Sequence, residues 1–357
     1  MIPVVKPTLG REEEDAVLAV LRSGQIAQGA RVEELETRFA ALVGTAFAVA
    51  TSSGTASLHL NLLAHGVGPG DEVITSPFTF IASANSILYT GARPVFADID
   101  PEDFNLDAKA VEAKITDKTK AILPVHLYGN PANMPAMCAI AGLHGLRIVE
   151  DAAQAHGAAI NGQQVGTFGA GNFSFYPTKN ITAVEGGILT TSDAELAEKV
   201  RRLRNHGQSE RYRHETLGFN LRMSDVHAAI GLAQLNRLSD YTRKRQENAR
   251  YLDQGLAGAV ETPRVAPGYT HVYHQYTIRI PGGRRDAVAI ALRERGVGSA
   301  VHYPIPVHKQ PLYLEMGYRD NLPEAERAAQ EVLCLPVHPS LTEQDLETIV
   351  REVRALC

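Results

Sequence analysis

Lys179 stands in a setting that few surface lysines share. It closes the run Phe173-Ser174-Phe175-Tyr176-Pro177-Thr178, and Asn180 and then Glu185-Gly186-Gly187 follow. An amine short of water has a lowered pKa and attacks carbonyls as a neutral nucleophile. The bland alternative is a helix-end lysine whose stem lies along apolar surface. Two other segments carry chemistry that would complete a site. In Val149-Glu150-Asp151-Ala152-Ala153-Gln154, Asp151 falls where a buried strand should end. Open α/β sheets bind ligands at such ends. A carboxylate there either pairs with a protonated ring nitrogen or caps the next helix. Gln154 either bonds a ligand oxygen or caps a turn, and His156 reads as a structural histidine. In Ser52-Ser53-Gly54-Thr55 an apolar strand runs into a helix. Free amides and the positive dipole end suit a phosphate, Gly54 permits close approach, and Ser53 and Thr55 add hydroxyls. A plain Ser/Thr N-cap is the alternative.

A reactive lysine, a strand-end carboxylate and a phosphate cradle together describe a pyridoxal 5′-phosphate site. The lysine would hold the aldehyde as an imine, and the Asp would keep the pyridine nitrogen protonated. An aromatic ring should cover the cofactor. Phe78 and Phe80, in Ser76-Pro77-Phe78-Thr79-Phe80, are the candidates, each with a core role as its alternative.

These residues need a scaffold, and the hydrophobic pattern supplies one. Short apolar strands are expected at 47–50, 72–75, 94–97, 121–125, 147–150 and 189–191. They alternate with helices at 33–42, 81–88, 135–144 and 194–203. That alternation implies a mainly parallel sheet with helices on both faces. A long helix is expected from an N-cap at Ser224 past Leu238 toward Tyr251. After a Pro/Gly-richer stretch come a strand at 275–280, a helix at 286–295, a proline-broken segment at 301–311, and helices at 324–332 and 343–355. The expected division is a large α/β domain, residues 1–245, and a smaller α+β domain, residues 246–357.

Composition limits the function classes. The 357 residues are 44 % hydrophobic and 21 % charged, with a net charge of −5. No basic cluster speaks for nucleic acid. Arg201-Arg202-Leu203-Arg204 reads as the solvated end of a helix. No apolar run would span a bilayer, and the opening Met1-Ile2-Pro3-Val4-Val5-Lys6-Pro7 lacks the core of a secretory signal. A cytoplasmic protein without membrane or nucleic-acid partners is expected. Cys138, Cys334 and Cys357 are too few and scattered for a disulfide framework or a zinc site, so no metal is expected. The glycines from Gly166 to Gly171 form no dinucleotide fingerprint.

Nearly end to end, the chain resembles the DegT/StrS-type sugar aminotransferases, fold type I pyridoxal-phosphate enzymes of nucleotide-sugar biosynthesis. The resemblance rests on Ile2-Pro3-Val4-Val5-Lys6-Pro7, Gln28-Gly29, Ser52-Ser53-Gly54-Thr55, Pro77-Phe78-Thr79-Phe80 and Glu150-Asp151-Ala152-Ala153-Gln154. It continues through Phe173 to Asn180, Glu185-Gly186-Gly187 and Gly218-Phe219-Asn220-Leu221-Arg222-Met223-Ser224-Asp225. It implies a mostly parallel seven-stranded sheet sandwiched by helices, with a smaller C-terminal domain. It implies pyridoxal 5′-phosphate, an amino group taken from L-glutamate, and a nucleotide-linked 3-keto or 4-keto hexose as acceptor, with Glu185-Gly186-Gly187 leaning toward carbon four. Lys179 and Asp151 would be catalytic. Ser53, Gly54, Thr55 and Ser174 would hold the phosphate, Phe80 would stack on the ring, and Gln154 would lie beside its hydroxyl. Asn220 would reach the phosphate of a neighbouring subunit's cofactor, which makes the enzyme a homodimer with shared sites. Tyr176, Arg222, His302, Tyr303 and His308 would line the sugar pocket. The chain departs from several members at Gln25, Phe219 and Leu221. The alternatives on this scaffold are a keto-sugar dehydratase, which has histidine in place of Lys179, and a non-catalytic regulatory homologue, which would lack Lys179, Asp151 or Asn220 or carry an added DNA-binding segment. A cysteine desulfurase would want a cysteine on a mobile loop.

Overall fold

The computed structural model describes all 357 residues. At its centre lies a seven-stranded sheet. In chain order its strands are β1 (Phe47–Thr51), β2 (Glu72–Thr75), β3 (Arg93–Phe96), β4 (Thr119–Leu123), β5 (Arg147–Asp151), β6 (Ala170–Ser174) and β7 (Gly187–Thr191). In space they run β1-β7-β6-β5-β4-β2-β3. β7 is antiparallel to both neighbours, and every other pairing is parallel. The inner strands are buried on both faces, which is why they read as continuous apolar runs.

The sequence pattern missed β6. Its residues, Ala-Gly-Asn-Phe-Ser, include no β-branched side chain and one glycine. The glycine is required, because a Cβ on Gly171 would lie 2.4 Å from Gly166 Cα. The antiparallel β7 has a positional consequence. Gly187 at its start pairs with Thr51 at the end of β1 and Ser174 at the end of β6. Strand ends therefore gather at one edge of the sheet, where β5 also ends on Asp151.

Two helical expectations need correction. The helix expected to run on from Ser224 is two helices, Asp225–Leu235 and Leu238–Leu256. Ser224 caps the first through its hydroxyl. At the break Arg237 turns out to pair with Glu12, 3.0 Å away, while Leu238 drops into the core with Val32 and Phe39. Near the C-terminus the helix Pro323–Glu331 stops before Val332, and β9 (Val332–Leu335) pairs antiparallel with β8 (Tyr276–Arg279). Arg204 is not solvated. It is buried at the end of the helix Ala194–Arg204 and pairs with Glu36 at 2.5 Å.

Beyond the sheet, a second apolar cluster joins Leu252 and Leu256 to Tyr276, Ile278, Leu292, Leu335 and Ile349. The chain's first residues reach into this region. Ile2 makes a parallel bridge to Val297, its amide bonds Gly296 O at 2.8 Å, and Gly298 N bonds back to Ile2 O at 2.8 Å. The segment that holds Tyr313, Tyr318 and Ala325 packs the other way, against Phe78, Ile87 and Phe96 of the sheet body. No helix is long and apolar enough to cross a membrane.

Candidate active site

A cleft of about 510 Å³ opens where the strand ends gather. Ser53, Gly54, Thr55, Phe80, Asp151, Gln154, Ser174, Tyr176, Lys179, His302 and Tyr303 all line it, far apart in sequence as they are.

The helix Gly54–Ala64 starts at its floor. Ser53 Oγ accepts from Ala56 N at 3.1 Å, and Ser53 O accepts from Ser57 N. The earlier amides, of Gly54 and Thr55, have no carbonyl within their own helix, which leaves them open to an anion. The space around them is too tight for side chains. A Cβ on Gly54 would fall 2.8 Å from Ser174 Cβ, and one on Gly187 would fall 2.3 Å from Ser53 O. Gly54 and Gly187 therefore let β6, β7 and the helix end close into one cradle.

Asp151 ends β5 and is buried. Ser83 Oγ donates to its Oδ2 at 2.7 Å, and Ala153 N donates to its Oδ1 at 3.2 Å. Burial raises its pKa, against these two bonds and the Lys179 charge. No cationic side chain comes within ion-pair distance, so the carboxylate lacks the partner that its burial calls for. Beneath it, the fully buried Glu150 accepts from Gly166 N, Phe168 N and Gly169 N at 2.8, 2.9 and 2.9 Å. The glycines of 166–171 thus serve a carboxylate inside the fold, and the loop they make supports β5.

Lys179 sits in the turn after β6, its amide bonded to Tyr176 O at 2.9 Å. Asn180 pins that turn, donating through Nδ2 to Val272 O at 3.0 Å. The amine opens into the cleft, yet enclosure by protein lowers its pKa to about 8, with Asp151 acting the other way. Behind it, His156 lies buried against the rings of Phe39, Phe173 and Phe175. Burial first and the Lys179 charge second pull its pKa to about 3. It does not line the cleft, and neither ring nitrogen has a partner at hydrogen-bond distance.

Gln154 is oriented by two bonds. Its Oε1 accepts from Tyr128 N at 2.8 Å, and its Nε2 donates to Tyr303 OH at 3.2 Å. Phe80 hangs over the cleft at 56 % exposure, while Phe78 is fully buried core, which separates the two aromatic candidates. Three expected residues lie elsewhere. Asn220 and Arg222 sit on the segment leading to Ser224 and do not line this chain's cleft, although Leu221 O between them accepts from Ser52 N at 2.8 Å, and Arg222 Nη1 donates to Asn205 Oδ1 at 2.6 Å. His308 is buried against Phe96, and its Nε2 lies 3.2 Å from Glu326 Oε1. Sequence reasoning missed Ser83, Tyr128 and His274. Each is a lone polar residue with no motif around it.

These residues fit pyridoxal 5′-phosphate. The open helix end suits the phosphate, the unpaired buried carboxylate suits a protonated ring nitrogen, and the amine suits the aldehyde. Comparison with known proteins agrees. The family model described as DegT/DnrJ/EryC1/StrS aminotransferase family matches residues 7–354. A protein of Geobacillus stearothermophilus named pleiotropic regulatory protein is 46 % identical, over 94 % of this chain and 91 % of its own. The UDP-N-acetyl-3-dehydro-alpha-D-glucosamine 3-aminotransferase of Acidithiobacillus ferrooxidans is 45 % identical, over 94 % and 91 %. Among solved structures, S. venezuelae DesV in complex with a ketimine intermediate aligns with a TM-score of 0.93 at 41 % identity, over 96 % of this chain and 94 % of that one.

Proposed function

Since the chain belongs to the DegT/DnrJ/EryC1/StrS aminotransferase family, we propose that it moves an amino group from L-glutamate to a keto-sugar nucleotide at this cleft. The observation that carries the reading is Lys179, an amine with its pKa lowered to about 8, sharing one cleft with Asp151 and the open helix end at Gly54. The chain is an aminotransferase that uses pyridoxal 5′-phosphate. When bound, that group supplies an aldehyde that takes up amino groups and a ring that withdraws electrons from the carbon being deprotonated.

The protein's own residues do the rest. The amides of Gly54 and Thr55, with the Ser53, Thr55 and Ser174 hydroxyls, bind the phosphate. Asp151 holds a proton at the ring nitrogen, and its bonds from Ser83 and Ala153 fix its direction. Gln154 orients the ring hydroxyl, and Phe80 covers the ring and excludes water. Lys179 would hold the group's aldehyde carbon through its amine and would yield that carbon to the donor's amine. It would then take the proton from the donor's α-carbon and deliver it to the carbon that had been the group's aldehyde, and would run that transfer in reverse for the sugar. A pKa of about 8 makes it competent in both directions near neutral pH.

The sugar side rests on the relatives. The 45 % identical enzyme is named for amination at carbon three. We therefore favour a 3-keto sugar over the carbon-four leaning of Glu185-Gly186-Gly187. Tyr176, His302 and Tyr303 all line the cleft; we assign the two tyrosines to the sugar and leave His302 to the amino donor. The homodimer with shared sites is part of the same proposal. Asn220 and Arg222 are kept in it as residues that serve a second copy's cleft, consistent with the exposure of Tyr212 at 78 % and Leu217 at 86 % on the same segment. Small-domain residue His308 is kept only as a residue that supports the pocket from behind. We place the lobe boundary at residues 245–246 and the enzyme in the cytoplasm. A regulatory reading draws only on the Geobacillus name. A screen of 3-keto and 4-keto sugar nucleotides with glutamate, read by 2-oxoglutarate formation, tests the assignment. Turnover of a 3-keto substrate is the expected result, and no turnover of any keto sugar would sink it.

A further inference from the structure

L-Glutamate brings two carboxylates, and no arginine of this chain lines the cleft that must receive it, so that Arg222 of a second copy is the one guanidinium the proposed dimer would bring there. The only basic side chain there besides histidine is Lys179, which has to be neutral to work. With two carboxylates to meet, this chain's own wall must supply further donors.

Two histidines that reach the cleft from different segments share an unusual feature. His274 precedes β8, and His302 lies on the segment that returns from it. In both, Nδ1 is shut away from water with no hydrogen-bond partner. Neither ring makes any side-chain hydrogen bond through Nε2, which is not shut in. An orphaned buried N–H is rarer than an orphaned acceptor. The single proton of each neutral ring therefore belongs on Nε2, the nitrogen open to the cleft. The rings stay neutral through the physiological range. Burial lowers both pKa values, and Lys179 lowers them further, with Arg245 acting on His274 as well.

The aim of His274 is built in. Arg245, buried, donates from Nη1 to Tyr273 O at 3.0 Å and to His274 O at 3.4 Å. Gln275 N bonds Tyr128 O at 3.2 Å, and Val272 N bonds Gly129 O at 3.0 Å. Tyr273 between them takes a left-handed φ of 46°. The backbone on each side of His274 is thus tied to the wall that carries Gln154.

We propose that His274 and His302 form the carboxylate site for the amino donor, two Nε2–H donors supplied by the same chain that carries Lys179. This rests on the aminotransferase reading above and names the residues that select the amino acid rather than the sugar.

The test uses the holoenzyme and two probes that do not react. Glutarate reports the dicarboxylate site, and UDP reports the nucleotide side, each titrated by calorimetry. His274→Leu and His302→Leu should each weaken glutarate binding about tenfold or more, the usual loss for a hydrogen bond to a charged group. UDP binding should stay within about twofold. Glutamine places its amide N–H where Nε2–H was, and asparagine places it where Nδ1 was. His274→Gln should thus restore glutarate binding to within about threefold, and His274→Asn should not. The Gln/Asn contrast holds the test open should a leucine variant fail to fold. Unchanged glutarate binding in both leucine variants would overturn the proposal, and so would a loss confined to UDP. Failure of the wider reading looks different, since unmodified holoenzyme would then show no spectral change with glutamate.

Discussion

Lys179 and Asp151 were legible in the sequence because each is an ionisable residue where the pattern calls for something else. An amine follows an aromatic run, and a carboxylate ends an apolar strand. Their helpers were not legible. Ser83, Tyr128 and His274 arrive from remote segments, and nothing local marks them. Lys179→Ala should abolish amino transfer, a loss of at least about 1000-fold in kcat for an essential nucleophile and proton carrier. Asp151→Asn should keep its bond from Ala153 and still fold, with a loss of roughly 100-fold or more in the glutamate half-reaction, measured by stopped flow. Lys179 also makes a pH prediction for the apo protein. Its pKa is about 8 folded against 10.5 for the free side chain. The unfolded chain therefore binds more protons between those values, so this group makes stability rise with pH from about 8 to 10.5. Apo Lys179→Met should lose that rise in denaturant titrations at pH 8 and pH 10, while the parent keeps it.

Strand ends build the site at the next scale, and one glycine and one ion pair hold them. Gly187 has no room for a methyl group beside Ser53 O. Gly187→Ala should cost about 1–3 kcal/mol by overpacking, seen as a fall in melting temperature together with weaker phosphate and cofactor binding. β1 is the free edge of the sheet. Glu36 Oε1 accepts from Ala50 N at 2.8 Å, and Arg204 Nη1 donates to Ala50 O at 2.6 Å. The ion pair takes the place of a neighbouring strand, which is one way to protect an edge. Glu36→Ala should cost about 3–5 kcal/mol, because Arg204 is left buried and unpaired. The double variant Glu36→Ala/Arg204→Met should be more stable than that single one in urea titrations. The sheet was legible as an α/β alternation. β6 was hidden by its glycine and missing β-branched residues, and the break at Arg237 by an apolar period that carries straight through it.

For the whole molecule, the sequence pattern suggested two regions but not the contacts between the chain's distant segments. Ile2 joins the cluster of Leu292 and Ile349 side, while Tyr313 and Tyr318 cross back to Phe96. Such exchange follows from contacts between residues hundreds of positions apart, which no local period records. The proposed shared sites make a prediction at this scale. Lys179→Ala and Asn220→Ala dimers should each be weak, but random mixing gives heterodimers in which one site carries both changes and the other neither. Activity should return to about a quarter of the parent level in co-expressed protein. Recovery no greater than the sum of the two single variants would mean that each chain completes its own cleft.

The central claim is that Lys179 in this cleft transfers amino groups, and a single turnover tests it most directly. Holoenzyme mixed with L-glutamate and no sugar should lose its visible absorbance band and release close to one 2-oxoglutarate per site, and Lys179→Ala should release none. An unchanged spectrum with no 2-oxoglutarate, or equal release from Lys179→Ala, would contradict the account.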